Sequence, residues 1–323
     1  MKQFNEVFPN VDSVDLYVNY VCGLRCNHCF IGDLLNTNVD LPIELAKSIV
    51  SNLAKSGVKS ITLLGGEPTL YKNIYELIEC INENKLYFRI VTNGQKSFQK
   101  FIKKLDSILL NKLHVCFSID GSNSKIHDDI RGKGVYLNLI NSIELAKLKK
   151  ISISAITSIS KDNYNDTISI IDFCSILGMK YINVHYVTDR GFATKNKVVS
   201  IQDWLKLCEN IEANSADIKI RLEKTFISKQ STVKCEVPKK ENIIIDPNGK
   251  IYGCTMFMNL TNMESGIWTL DGIELNKKNE NENSICNCTN NGCPAMQLVN
   301  NDLVKLAKKD NYKMDCIFNK TTI

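Results

Sequence analysis

The chain has 323 residues, a composition 44% hydrophobic and 23% charged, and a formal net charge of +5. That length allows about two domains and a substantial core. The positive balance is spread over many lysines, which argues against nucleic acid or membrane as partners, and no apolar run approaches the roughly 18 residues of a transmembrane helix.

In chain order, "SVDLYVNY" comes first, where Val14, Leu16, Val18 and Tyr20 alternate with polar Asp15 and Asn19 at the period of a strand. A helix follows, with Pro42 in its first turn, Leu45, Ile49 and Leu53 spaced by fours, and Gly57 as its stop. Next come strand "KSITLL", helix "NIYELIECI", strand "LYFRIVT" and a helix over about 97–110. Strand "LHVCFSI", helix "YLNLINSIELAKL", strand "ISISAIT", helix "YNDTISIIDFCSIL" and strand "YINVHYV" complete six units. Such alternation implies parallel strands with right-handed crossovers, in a doubly wound sheet or an incompletely closed barrel. A helical stretch, "IQDWLKLCENIEAN", then leads to residues 229–323, rich in Asn, Lys and Cys, a composition that suits a small domain organised by metal.

A polar or glycine-containing loop follows each strand: "CGLRCNHC", "GGEP", "TNG", "SIDG", "SKDN" and "TDRG". Parallel α/β architectures bind ligands at the carboxyl ends of their strands, so all six loops are expected to meet at one mouth. Strand parity adds that Ser118 shares a face with His114, Cys116 and Asp120, the barrel interior, while Val115, Phe117 and Ile119 face the helices. Asn183 and His185 point inward by the same logic, with His185 a candidate pocket residue.

Thirteen cysteines are unusual here. "MKQFNEVFPN" at the start carries no apolar signal segment, so a cytoplasmic protein is expected, where disulfide frameworks are disfavoured. Cytosolic cysteines at short spacing bind metal or do redox chemistry. Cys80, Cys116, Cys174 and Cys208 stand alone in apolar surroundings and read as buried thiols. The other nine form two groups, three before residue 30 and six after residue 234. Three thiolates on one loop make an incomplete site: structural zinc takes four ligands, and a four-iron cluster held by three leaves one iron open. Spacing alone leaves iron–sulfur, zinc and chance grouping all open. "LGGEPTL" offers two glycines for close backbone approach and the Glu67 carboxylate for an ammonium group, although a plain turn before a helix would also account for it.

Together, Cys22-x3-Cys26-x2-Cys29 after the first strand and Gly65-Gly66-Glu67-Pro68 after the second resemble the radical S-adenosylmethionine (SAM) enzymes. "TNG" at 92–94 and "SIDGSNSKIHDDIRGKGVY" at 118–136 extend the resemblance to the subgroup with SPASM or twitch C-terminal domains. It implies a partial (β/α)6 TIM-like barrel over 1–195, a helical linker over 196–230 and a small Cys-rich SPASM/twitch-like domain over 231–323. Cys22, Cys26 and Cys29 would hold a 4Fe–4S cluster whose open iron binds SAM, with His28 beside the adenine. Gly65, Gly66 and Glu67 would meet the methionine amino group and Ser118 the ribose or carboxylate, with Asn93, Asp120, Ser154 and Val187 as further cofactor positions. The chemistry implied is reductive cleavage of SAM to a 5′-deoxyadenosyl radical that takes a hydrogen atom from substrate, the electron coming from a donor such as flavodoxin or ferredoxin. Cys116 is a candidate hydrogen donor, with packing the plainer role.

The late cysteines are Cys235, Cys254, Cys286, Cys288, Cys293 and Cys316. Cys235-x13-Gly249-x4-Cys254 resembles the opening signature of SPASM and twitch domains, and "IIIDPNGKIYGC" reads as a hairpin turning at Asp246-Pro247-Asn248-Gly249. "CNCTNNGCPA" departs from the usual later spacing, and six thiolates cannot complete two four-cysteine clusters. At least one auxiliary 4Fe–4S cluster is expected. Members of this subgroup modify ribosomally made peptides by thioether or carbon–carbon cross-links, epimerisation or side-chain oxidation. Only 21 residues precede Cys22, too few for a separate leader-binding domain, yet a peptide is the expected substrate. Dehydrogenation of a small alcohol or sugar, sulfatase-type maturation and a non-enzymatic iron–sulfur or zinc protein are the alternatives.

Overall fold

Six segments of alternating apolar and polar residues become the strands of one sheet: β1 (Ser13–Asn19), β2 (Ser60–Gly65), β3 (Tyr87–Thr92), β4 (Leu113–Ser118), β5 (Ser152–Ile159) and β6 (Tyr181–Tyr186). The computed structural model describes residues 4–9, 11–194, 196–214, 217–222, 227–228, 243–258, 263–276, 313–314 and 321–322. Each of the six strands lies parallel to its sequence neighbour, in the order β1 to β6. A doubly wound sheet reverses its strand order part-way, whereas this order runs without reversal, the sense of a partial barrel.

Side-chain alternation along these strands separates two environments. Val14, Leu16, Ile61, Leu63, Ile90, Val115, Phe117, Ala155, Ile182 and Val184 are fully buried, the face that helices cover. His114, Ser118, Ser152, Ser158, Tyr181 and His185 are half-buried on the opposite parity, facing the lumen. The covering helices are α2 (Ile43–Lys55), α3 (Ile74–Glu83), α4 (Lys96–Lys104), α5 (Ser107–Lys112), α6 (Ser124–Arg131), α7 (Val135–Leu148) and α8 (Thr167–Ile176), after a short α1 (Phe4–Val7). In α3, Ile74, Leu77, Ile78 and Ile81 form the buried stripe of a 3.6-residue repeat.

Three elements differ from the expected pattern, each for a local reason. The helix expected over 97–110 is two, because Leu105 is extended and the Asp106 carboxylate caps α5 by accepting from the Leu109 N–H (2.8 Å). Helix α6 was hidden in a polar run, and Asn123 caps it through the Ile126 N–H (3.2 Å). The stretch expected as a helical linker holds α9 (Ile201–Ala213) and then a seventh strand, β7 (Lys219–Leu222), parallel to β6. Four residues are too few for a period to declare itself, although buried Ile220 and Leu222 do alternate with Lys219 and Arg221.

The hairpin foreseen in "IIIDPNGKIYGC" is present, Ile243–Ile245 pairing with Lys250–Tyr252. The Asp246 carboxylate ties its turn by accepting from the N–H groups of Asn248 and Lys250, each at 2.9 Å. Ile243–Ile245 also pairs parallel to β1, and a second hairpin, Gly266–Thr269 with Gly272–Leu275, extends the same sheet. Cys254 follows the first hairpin and is buried, while Cys235, Cys286, Cys288, Cys293 and Cys316 lie outside the described residues. Among the described residues no helix is long and apolar enough to cross a membrane.

Candidate active site

The loop after β1 carries Cys22, Cys26 and Cys29, and every other strand-end loop touches it. From the β2 end, the Glu67 N–H donates to the Val21 carbonyl (2.8 Å). After β3, the Asn93 side-chain amide reaches the Cys22 sulfur at 3.8 Å. The segment after β4 supplies the Ile130 carbonyl, which accepts from the Asn27 N–H (3.0 Å), and Arg131, whose Nη1 lies 3.9 Å from the Cys26 sulfur. After β5, the Asp162 carboxylate accepts from the Asn27 side chain (3.0 Å). After β6, the Phe192 N–H donates to the Cys29 carbonyl (2.9 Å). The convergence expected of the six loops is therefore a set of specific contacts centred on the cysteine loop.

Glycine is required at two of these contacts. A Cβ on Gly66 would stand 2.4 Å from the Val21 oxygen and 2.9 Å from the Cys22 Cβ; one on Gly191, where φ is +60°, would stand 2.1 Å from the Cys29 oxygen. Gly65 likewise packs against Asn19, which a Cβ would approach to 2.5 Å. The close approach made by Gly65 and Gly66 is thus to the chain itself, and it seats the cysteine loop.

Glu67 is 1% exposed, and its carboxylate accepts from the Thr69 hydroxyl (2.6 Å) and N–H (3.2 Å), the Thr92 hydroxyl (2.9 Å) and the Asn93 N–H (2.9 Å). Burial pushes its carboxyl upward, and these four bonds pull it back. In this arrangement Glu67 fastens the β2 end to "TNG" and so aims Asn93 at Cys22.

Asp120 is fully buried just beyond β4. Its carboxylate meets the Arg131 Nε at 2.5 Å and the His28 Nε2 at 3.3 Å, and accepts from the Ser158 N–H at 2.9 Å. Burial raises the carboxyl, but Arg131, His28 and that N–H more than offset it and leave it below the ordinary carboxylate range. Burial holds His28 toward the neutral form, and its buried Nδ1 has no partner among the described residues. Ser118 ends β4 half-buried, and Val187 is buried directly after β6, both at the mouth. Ser154 lies mid-strand, its hydroxyl 2.7 Å from the His114 Nε2, and so sits below the mouth in the lumen. Cys116 is 1% exposed and is the register partner of Ser154, whereas His185 is half-buried near the top of β6.

Two charged residues lie outside the expected set, Arg131 at the cysteine loop and Arg89 deeper in the lumen. Arg131 was within the quoted run, and its signal was a spacing of four from His127 on one helix face. Arg89 interrupts the apolar strand "LYFRIVT" at lumen parity, which marks an inward charge.

The three sulfurs fit a cluster. Cys22 accepts from the Leu24 N–H (3.4 Å), and the amide and guanidinium contacts above also suit sulfur carrying negative charge. With no metal bound, burial pushes the Cys22 thiol up to about 12 and raises Cys26 as well. Ligation by either thiol therefore displaces a proton.

Residues 16–174 match the sequence profile of the Radical SAM superfamily. Those residues form a radical SAM domain. The chain is similar to the AdoMet-dependent heme synthase of Methanosarcina barkeri, 25% identical over 69% of this chain and 64% of that protein. It is also similar to the antilisterial bacteriocin subtilosin biosynthesis protein AlbA of Bacillus subtilis, 22% identical over 77% of this chain and 56% of that protein. The chain thus spans less than two thirds of either relative. Among solved structures, Streptococcus suis SuiB bound to its precursor peptide SuiA superposes with a TM-score of 0.64, at 20% identity over 79% of this chain and 62% of that one. This last likeness shows a shared fold.

Proposed function

We propose that this chain is an enzyme that reductively cleaves SAM and abstracts a hydrogen atom from a ribosomally made peptide. The observation that carries the reading is the closure of the other five strand-end loops on the cysteine loop. Cys22, Cys26 and Cys29 would hold a 4Fe–4S cluster with SAM on its open iron, together supplying a one-electron reductant and a 5′-deoxyadenosyl radical. The chain's own residues position and seal this site. Glu67 holds Asn93 at Cys22, and the Asp120–Arg131 pair braces Cys26. His28, Gly65, Gly66, Ser118 and Val187 line the mouth where SAM would lie, and the interlocked loops exclude water.

The peptide reading is supported by relatives named for bacteriocin biosynthesis and sporulation killing factor maturation, and by the peptide-bound SuiB neighbour. Action on a small molecule is the second reading, favoured by the heme synthase relative. An auxiliary 4Fe–4S cluster, built from Cys254 and partners among Cys235, Cys286, Cys288, Cys293 and Cys316, extends the proposal to the C-terminal region. A flavodoxin or ferredoxin would supply the electron.

Anaerobic reconstitution followed by SAM and dithionite tests the enzyme reading through 5′-deoxyadenosine. Formation that is lost in Cys22→Ala supports it, and none from the unaltered protein contradicts it. Iron content tests the auxiliary cluster: about eight per chain is expected, whereas about four denies it. A mass change in a short peptide encoded beside this gene would favour the first reading over the second.

A further inference from the structure

The lower lumen holds two positive charges that the radical chemistry does not use. Arg89 on β3 is the register partner of Thr62 on β2 and of His114 on β4. Its Nη1 donates to the Tyr181 hydroxyl on β6 at 3.3 Å. Arg221 on β7 lays its guanidinium over the Tyr181 ring, 4.2 Å from the centroid. His114 stacks on that ring too, with centroids 5.5 Å apart and planes within 10°. Its ring nitrogens lie 2.7 Å from the Ser152 and Ser154 hydroxyls. Burial, with Arg89, Lys180 and Arg221 nearby, pushes its pKa down to about 4, so it adds no charge at neutral pH.

Neither arginine has an acidic partner among the described residues. Asp15, the lumen-side carboxylate of β1, has a partner of its own. Beside each arginine lies a buried oxygen with no hydrogen-bond partner among the described residues. Thr62 Oγ1, 3% exposed as a residue, flanks Arg89 in register, and Asn183 Oδ1, 5% exposed, flanks Arg221. Unpaired guanidinium groups and orphaned oxygens in a half-enclosed lumen are costly unless something satisfies them. Guanidinium matches the planar fork of a carboxylate, and orphaned acceptors call for N–H donors. A peptide carboxylate flanked by its own amides presents both.

We propose that this lumen floor anchors a carboxylate of the substrate, with Arg89 and Arg221 clasping it and Thr62 and Asn183 accepting from adjacent amide N–H groups. The proposal rests on the peptide reading above and narrows it to a peptide with a carboxylate near the reacting residue. Arg89 lies four residues before Asn93, roughly 13 Å down the strand at about 3.3 Å per residue. The carboxylate belongs either to an acidic side chain or to a chain terminus.

Saturation-transfer NMR on the full-length reconstituted protein, without SAM, separates these cases with three probes. They are acetyl-Ala-Glu-Ala amide, acetyl-Ala-Ala-Ala with a free carboxylate, and acetyl-Ala-Gln-Ala amide. At least one acid is expected to bind, the Gln peptide at least tenfold more weakly, and Arg89→Gln or Arg221→Gln should abolish the preference. Preference for the first acid assigns a side chain, and preference for the second assigns a terminus. Equal binding of acid and amide, no binding of either acid, or a preference that survives both substitutions overturns the proposal. If Arg89→Gln does not fold by circular dichroism, Arg221→Gln carries the same comparison. Binding needs no turnover, so absence of 5′-deoxyadenosine from the unaltered protein is a separate failure, that of the enzyme reading.

Discussion

Arg131 is the last residue of α6, and its guanidinium lies between the Asp120 carboxylate and the Cys26 sulfur. Replacing it with methionine keeps the bulk but leaves Asp120 charged, fully buried and short of its main partner. A loss of about 3–5 kcal/mol in urea unfolding is expected, the usual cost of breaking a buried pair from one side. Gly66 makes a sharper test of the loop itself. Gly66→Ala drives a Cβ into the Val21 carbonyl, so iron retained after reconstitution should fall from about eight toward about four per chain. Gly23→Ala, in the same loop with nothing within 4 Å of its Cβ, should retain the full amount. At this scale the cysteines, "GGEP" and "SIDG" were legible because their spacing is local. The bracing roles of Glu67, Arg131 and Asp162 were not, since each depends on a partner many residues away that only the closed barrel brings near.

The strands of the barrel were readable because one face of each meets helices and the other meets the lumen, which writes a period of two into the sequence. The apolar spacing of helices α4 and α5 runs on across the break that Asp106 caps, so the pattern alone spells one helix there. β7 was missed for its shortness. It is held in place beside β6, where α9 contributes fully buried Trp204, edge-on to Tyr186 at 5.3 Å. The start of α9 rests on Ser200, whose Oγ accepts from the Asp203 N–H (3.1 Å). Ser200→Ala should therefore cost about 1 kcal/mol in thermal or urea unfolding. A change near zero would mean that packing of Trp204 alone sets the helix start.

Across the whole molecule, buried histidines couple stability to pH. Burial, joined by nearby positive charge, pushes both His114 and His127 down to about 4, against about 6.5 in an unfolded chain. Between those values the unfolded chain binds more protons, so their contribution is full above about pH 6.5 and is lost as pH falls toward 4. The raised carboxyls of Glu67 and Asp246 act in the opposite direction and are common to wild type and variant. Urea midpoints of His114→Asn should thus fall less between pH 7 and pH 5 than those of the unaltered protein; an equal fall would contradict the assignment. On this scale, too, the sheet runs from the C-terminal hairpins through β1 to β7. The hairpin turn was legible from "DPNG", but its pairing with β1 joins residues more than 220 apart and left no local trace.

Cys22, Cys26 and Cys29 are proposed to hold a cluster with one iron open to SAM. The most direct test is the electron paramagnetic resonance spectrum of the dithionite-reduced, reconstituted protein before and after SAM is added. Replacing Cys254 beforehand limits interference from an auxiliary cluster. A reduced-cluster signal that changes on SAM addition and disappears in Cys26→Ala is expected. A signal indifferent to SAM, or one that persists without Cys26, would contradict it.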